Sequence, residues 1–318
     1  MSRAHRPLVE AGLQTRHRIP ARLNGLIMAA QLAGIGACLI GAGRAHGPWE
    51  LLLLAAAFGV LMNSVYAIIH EADHGMLFAN RVMNDAGGVL MSLFFPAPFH
   101  LLRQGHLGHH LRNRSDDEAF DLYFEGEHPV WKALQLYGTL TGLYWLVAVA
   151  SNLVVLVFPF VMRREYFTFD RPSAAFMDAL NPRYARFIQI EALATIVLHA
   201  ALVWALAIPV ANYAVMYAGF GVSWSAMQYV HHFGTTRHVL EGARNLWIWA
   251  PLDMLWLNHN WHLTHHKHPT VPWIHLARIG RQEDPGRGFL PAQYLRMWKG
   301  PRKAYDHVEN RYAGRVIR

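Results

Sequence analysis

The 318-residue chain holds a single cysteine, Cys38, and few charges, with Asp, Glu, Lys and Arg making up 16% of it. One thiol excludes an intramolecular disulfide, a cysteine-based zinc site and a four-thiolate iron–sulfur cluster. The scarcity of charge, beside a hydrophobic fraction of 53%, excludes a disordered chain and is unusual for a water-soluble one. Internal repeats, long linkers and low-complexity tracts are missing too. Any metal must therefore be held without thiolates, and the alternative ligand is plentiful: 21 histidines equal the 21 acidic residues in number. Neutral imidazole is the commonest metal ligand at physiological pH. The 29 Lys and Arg give a formal charge of +8, which suits a membrane face or an acidic partner; no nucleic-acid partner is expected.

Charge-free stretches mark where the chain can enter a bilayer. Leu23 to Gly43, Leu51 to Ile69 and Ala192 to Thr236 lack Asp, Glu, Lys and Arg altogether, and each approaches or exceeds the ~20 residues a helix needs to cross ~30 Å of hydrocarbon. The third is long enough for two crossings, with a turn near Pro209 and Asn212. Four spans are predicted, near 23–43, 49–70, 187–208 and 210–230. Arg3, Arg6, Arg16, Arg18 and Arg22 precede the first span, whereas the loop from Arg44 to Glu50 carries one Arg. The positive-inside rule then puts the N-terminus in the cytoplasm, and the basic segment after Leu276 on the same side. Two further apolar stretches, Ala86 to Leu102 and Ala133 to Met162, are flanked by cations at both ends and read as interfacial or re-entrant; the competing reading makes 134–160 a fifth span. The Arg-rich N-terminal segment lacks the apolar core and cleavage site of a signal peptide, so no removable leader is expected. The expected organisation is a cytoplasmic segment 1–22, a membrane domain 23–276 and a basic cytoplasmic tail 277–318.

The histidines cluster at the span ends. His70-Glu71-Ala72-Asp73-His74 closes the second span, His106-Leu107-Gly108-His109-His110 follows the stretch Ala86 to Leu102, and His262-Leu263-Thr264-His265-His266 lies beyond the last span. At this histidine content about 0.1 HxxHH patterns are expected by chance, and two occur. On a helix, positions i and i+4 share a face, so His70 and His74 can clasp one ion. In HxxHH the fourth and fifth positions diverge by ~100°, so one such box can serve two ions. With one further His from the pair His231 and His232, the count suits a dinuclear site. His232 is the favoured ligand, since Gln228 lies one turn before it and could hold a metal-bound water; His231 is the fallback. Ligand type alone leaves zinc, copper, iron and nickel open.

These three boxes, in this order, resemble those of the membrane fatty-acid desaturase and hydroxylase superfamily, over roughly Leu51 to Ala277. The resemblance implies an all-α integral membrane protein with about four transmembrane helices, interfacial or re-entrant helices and a cytoplasmic histidine-rich cap. It implies two iron ions held by His70, His74, His106, His109, His110, His232, His262, His265 and His266, with O2 as co-substrate. It implies oxidative attack on an unactivated C–H bond of a lipid or fatty-acyl substrate, foremost desaturation, with hydroxylation or ketolation of a lipid or carotenoid as the alternative. The metal centre itself is the expected catalyst, with no separate protein acid or base. The chain resembles no fused electron carrier or reductase, so a separate donor such as a ferredoxin is expected. Glu71 departs from the Asp frequent at that position.

Several readings compete. His70-Glu71-Ala72-Asp73-His74 also satisfies the H-E-x-x-H pattern of zinc peptidases, with Glu71 as general base, but this leaves six box histidines without a role. A metal transporter would place ligands inside the spans, where His199 alone is found; it reads as a packing residue. His259 and His268, beside the third box, could support a ligand from behind, with exposure on the same polar loop as the default reading. Asp73, Asp116, Asp117, Glu118 and Asp121 could each accept a ligand's second N–H, with a solvated face as the default for Asp116 to Glu118.

Overall fold

The computed structural model describes residues 17–317; Arg3, Arg6 and Arg16, on which part of the orientation argument rests, lie outside them. Helix α1 (Ala21–Arg44), α2 (Pro48–Asp73), α8 (Ala185–Ala205) and α9 (Val210–Val230) fall where four spans were predicted. Among the described residues, α1, α2 and the segment Pro182–Ala205 are long and apolar enough to cross a membrane. Helix α9 has 21 residues, a rise of about 31 Å. It is charge-free but less apolar, because Asn212, Tyr213, Ser223, Ser225 and Gln228 dilute it. Neighbouring helices satisfy these groups: Ser223 and Gln228 meet Asn63 and Tyr66 of α2, Asn212 bonds the carbonyl of Ala42 in α1, Tyr213 bonds His199 of α8, and Ser225 bonds the carbonyl of Thr139.

The two remaining apolar stretches are sharply bent helix pairs. Helices α3 (Arg81–Phe94) and α4 (Phe99–Arg112) meet at 103°, and α5 (Pro129–Thr141) and α6 (Leu143–Val157) at 89°. Gly142, at φ 96°, is the joint of the second pair, a left-handed conformation that glycine adopts without Cβ strain. At 1.5 Å per residue neither α5 nor α6 alone covers ~30 Å. The all-α membrane architecture holds, with three candidate spans among the described residues, or up to five if each bent pair is one.

Polar contacts pin the spans together: Gln31 donates to Ser64 at 2.9 Å, and Asn63 to Ser223 at 2.9 Å. Between apolar helices such pairs matter because the alternative is an unpaired polar group in hydrocarbon. At one end of the bundle, Asn212 bonds the carbonyl of Ala42. At the other, Asn24 of α1 donates to the carbonyl of Leu77 just after α2, and accepts from the Trp273 indole at 3.0 Å. This second end carries a cap built from α7 (Arg171–Ala179), α10 (Ala250–Leu255), α11 (His262–Lys267), α12 (Trp273–Glu283) and α13 (Leu290–Met297). Residues beyond 276 fold back onto it. Two short parallel pairings join β1 (Leu122–Tyr123) to β4 (Arg302–Lys303) and β2 (Leu246–Trp247) to β3 (Gly288–Phe289).

Candidate metal centre

Four chain segments bring imidazoles to the capped end. The last turn of α2 supplies His70 and, one residue past it, His74; α4 supplies His106, His109 and His110; the residues after α9 supply His231 and His232; α11 supplies His262, His265 and His266. Each segment is braced. Asn84 donates to the carbonyl of Ala72 at 2.9 Å, and Arg103 donates to the same carbonyl at 3.0 Å and to Asp85 at 2.5 Å, tying the end of α2 to α4. Glu191 accepts the backbone N–H of His100 at 3.0 Å, which anchors the first turn of α4 to α8. The chain leading into α11 turns through Leu257 and Asn258, both at positive φ. That turn is held by Asp253, whose carboxylate accepts from Asn260 at 3.0 Å and from Arg287 at 2.5 Å.

The nine imidazoles named from the sequence divide into two groups. His70, His74, His106, His110 and His265 place one ring nitrogen each within 4.8 Å of all the others; His109, His232, His262 and His266 do the same. Within the first group, His106 Nε2 lies 2.7 Å from His74 Nε2 and 3.1 Å from His110 Nε2, and His110 Nε2 lies 3.0 Å from His265 Nε2. In the second, His232 Nε2 and His262 Nε2 are 3.0 Å apart. A ring nitrogen offers one proton or one lone pair, so a nitrogen crowded by two others cannot make a full hydrogen bond to both. His70 Nε2 and His262 Nδ1 are buried without any partner. Converging lone pairs, and the orphaned Nε2 of His70, are what a cation shared by each group would satisfy, so the donor set fits metal.

Protonation follows the same logic. Burial, reinforced by neighbouring imidazoles, holds His262, His265 and His266 well below the ordinary histidine range, and burial together with His109 does the same for His232. Burial, then Arg103 and His109, lowers His74 to about 3. These five rings are therefore neutral at pH 7, the state that can ligate metal. The far ring nitrogens are fixed where a partner exists: His232 Nδ1 donates to the carbonyl of Gly242 at 2.8 Å, and His109 Nδ1 lies 2.5 Å from Glu118 Oε1. Each leaves Nε2 facing its group.

His231 stands apart from both groups. Its Nε2 donates to Asn260 Oδ1 at 3.1 Å, the orientation set because the Asn260 amide N–H is taken by Asp253. It lies instead with His259 and His262 in a third, overlapping set. Gln228 donates to the carbonyl of Trp224 at 3.1 Å and accepts from the Tyr66 hydroxyl at 3.4 Å. Asp73 is buried, and its Oδ1 has no partner.

Two sequence readings are corrected. His259 is not an exposed loop residue: its ring centroid is 4.9 Å from that of His70 and 5.2 Å from that of His262, because the Leu257–Asn258 turn folds it inward. Nor is the 116–118 run a solvated face. Asp116 is buried against Arg237, and Glu118 bridges His109 and Arg112. Burial pulls the Glu118 carboxyl up, but His109 and Arg112 outweigh it and hold it below the usual range. His268 pairs with Glu283 at 2.6 Å near the surface. His199 bonds the Tyr213 hydroxyl and the carbonyl of Leu93, a satisfied packing residue.

Fold and site together define an all-α membrane protein with a buried multi-histidine centre at one end of its helices. The model of the fatty acid desaturase family matches residues 47–301, and the chain belongs to that family. A search of curated proteins finds no match. Membership implies oxidoreductase activity on a lipid substrate in a membrane setting. The match extends past Ala277 to include α12 and α13, where the sequence reading of the resemblance stopped.

Proposed function

We propose that this protein is a membrane-bound, O2-dependent di-iron oxidoreductase that introduces a double bond into a fatty-acyl or lipid chain. The observation that carries this reading is the division of nine imidazoles into two convergent groups, one of five and one of four. One iron would be held by His70, His74, His106, His110 and His265, the other by His109, His232, His262 and His266. When bound, the two irons supply the oxidising power needed against an unactivated C–H bond, with O2 as oxidant and two electrons from a separate donor such as a ferredoxin.

The protein's own work is placement. Glu118 and the Gly242 carbonyl fix the far N–H of His109 and His232, which aims the opposite nitrogens inward. Burial of the rings keeps water from the centre, and the apolar helices below it offer an environment for an alkyl chain. The Glu71 carboxylate accepts the backbone N–H of Trp273 at 3.1 Å, at the start of α12; this employment as a helix cap, with its flanking histidines in a group of five, favours the oxidoreductase over a zinc peptidase. The excess of basic residues before α1 and after Leu276 supports a cytoplasmic position for the histidine cap.

The test is mass spectrometry of lipids from cells expressing the chain. A loss of two mass units from an acyl species, absent in a His265→Ala control, supports desaturation. A gain of sixteen assigns hydroxylation instead, and no change in any lipid contradicts both.

A further inference from the structure

A cleft of about 210 Å3 opens on the far side of α4 from the ring nitrogens, between α4, the segment 164–179 and the residues 310–315. Small residues make the room: Gly108 on α4, Ala174, Ala175 and Ala179 on α7, and Gly314. Four guanidinium groups line it, from Arg112, Arg164, Arg171 and Arg315, against two carboxylates, Asp117 and Asp178. Arg164 pairs with Asp178, and Arg171 lies 3.2 Å from Asp117. Of the other two, Arg112 pairs through its Nε with Glu118, outside the cleft lining, and Arg315 is unpaired by any carboxylate among the described residues. Arg315 lies over the Tyr312 ring. Arg112 is buried, with a side chain 7% exposed. Its Nε donates to Glu118 at 3.2 Å, and its terminal nitrogens have no acceptor among the described residues. A Cβ on Gly108 would collide with this guanidinium, so glycine there lets it lie against α4.

Several guanidiniums converging from separate segments suit a tetrahedral, multiply charged oxyanion better than a lone carboxylate. The surroundings choose the source. Arg164 and Thr168 of the cleft belong to a segment that exposes Phe158, Phe160, Tyr166 and Phe169 beside Arg163. Exposed aromatics interleaved with arginine are the composition of a headgroup-level anchor. We infer that this cleft binds the phosphate of an anionic lipid headgroup, with the Arg315 guanidinium and the terminal nitrogens of Arg112 as its donors. The site lies two contacts from the histidine centre, Arg112 to Glu118 and Glu118 to His109.

The test uses the full chain purified in detergent, with dioctanoyl phosphatidic acid, dioctanoylglycerol and inorganic phosphate as probes, read by native mass spectrometry and competition. Phosphatidic acid is expected to bind saturably and dioctanoylglycerol not to compete. Arg315→Gln should weaken binding roughly tenfold, as for loss of a charge-assisted hydrogen bond, with metal content unchanged. Ala175→Leu, which narrows the cleft without altering charge, should weaken it comparably. Inorganic phosphate competing as strongly as the lipid would overturn the headgroup assignment in favour of a free-phosphate site. Loss in Arg315→Gln but not in Ala175→Leu would mean diffuse surface charge, and no saturable binding, or equal binding in all three proteins, would end the inference.

Discussion

His109 and Glu118 stand in direct contact, Nδ1 to Oε1 at 2.5 Å, while the second oxygen of the same carboxylate takes the Nε–H of Arg112 at 3.2 Å. One buried carboxylate thus fixes the tautomer of a box histidine and is itself held in place by a cation. Partners of this kind typically contribute 10- to 100-fold to metal affinity or activity. Glu118→Gln keeps the shape and loses the charge. It is expected to lower metal affinity by about that factor, and also to lower the thermal stability of the metal-free protein, because the buried Arg112 loses its carboxylate partner. Metal titration of the variant against wild type measures this; equal affinity would show that Glu118 does not position His109.

The adjacent pair after α9 separates cleanly by partner. His232 faces His262 and belongs to the group of four, whereas His231 is committed to Asn260. Replacing His232 by Ala should remove metal from the group of four. Replacing His231 by Ala should leave metal content intact and lower stability by about 1 kcal/mol, a typical value for one hydrogen bond. Metal analysis of both variants decides, and the reverse pattern would exchange their roles.

Glu71 gives a test of chemistry. In Glu71→Gln the amide oxygen can still accept the Trp273 N–H, so the loss of stability should be small, at most about 1 kcal/mol. Metal content and oxidative turnover should persist. Complete loss of activity with an unchanged fold would instead point to a general base at this position.

The C-terminal segment is clamped by Asp116, which accepts the backbone N–H of Val308 at 2.9 Å, faces His307 at 2.7 Å and bonds Arg237. Burial pulls the Asp116 carboxyl up, but Arg237, Val308 and His307 outweigh it and leave it below its ordinary 3.8. A carboxylate with a depressed folded-state value contributes stability that is fully present above the unfolded value and is lost as pH falls through the folded one. The difference in thermal stability between wild type and Asp116→Asn should therefore be constant from about pH 5 to 8 and shrink below about 4. A difference that grows on acidification would contradict the sign.

The three boxes were readable because their spacing is that of a helix face, and the charge-free runs located α1, α2, α8 and α9 nearly to their ends. What escaped the sequence depends on tertiary placement. His259 has no periodic partner, and only the positive-φ turn at Leu257 and Asn258 carries it inward. Asp116 and Glu118 look like solvated acids until Arg237, Arg112 and His109, from distant or folded-back positions, neutralise them. Arg114 is buried outright, held by Asp121 and Tyr229. A lone arginine in a polar loop gives no hint of that. The family resemblance ended at Ala277 by motif, because α12 and α13 carry no histidine box, although Glu71 caps α12 directly.

The most direct measurement is the iron and zinc content per purified chain, for wild type and for His74→Ala and His109→Ala, one variant in each histidine group. Two irons per wild-type chain, with loss of metal in both variants and an intact helical fold, is the predicted result. A single zinc in the wild type, or two irons retained in both variants, would contradict the di-iron assignment.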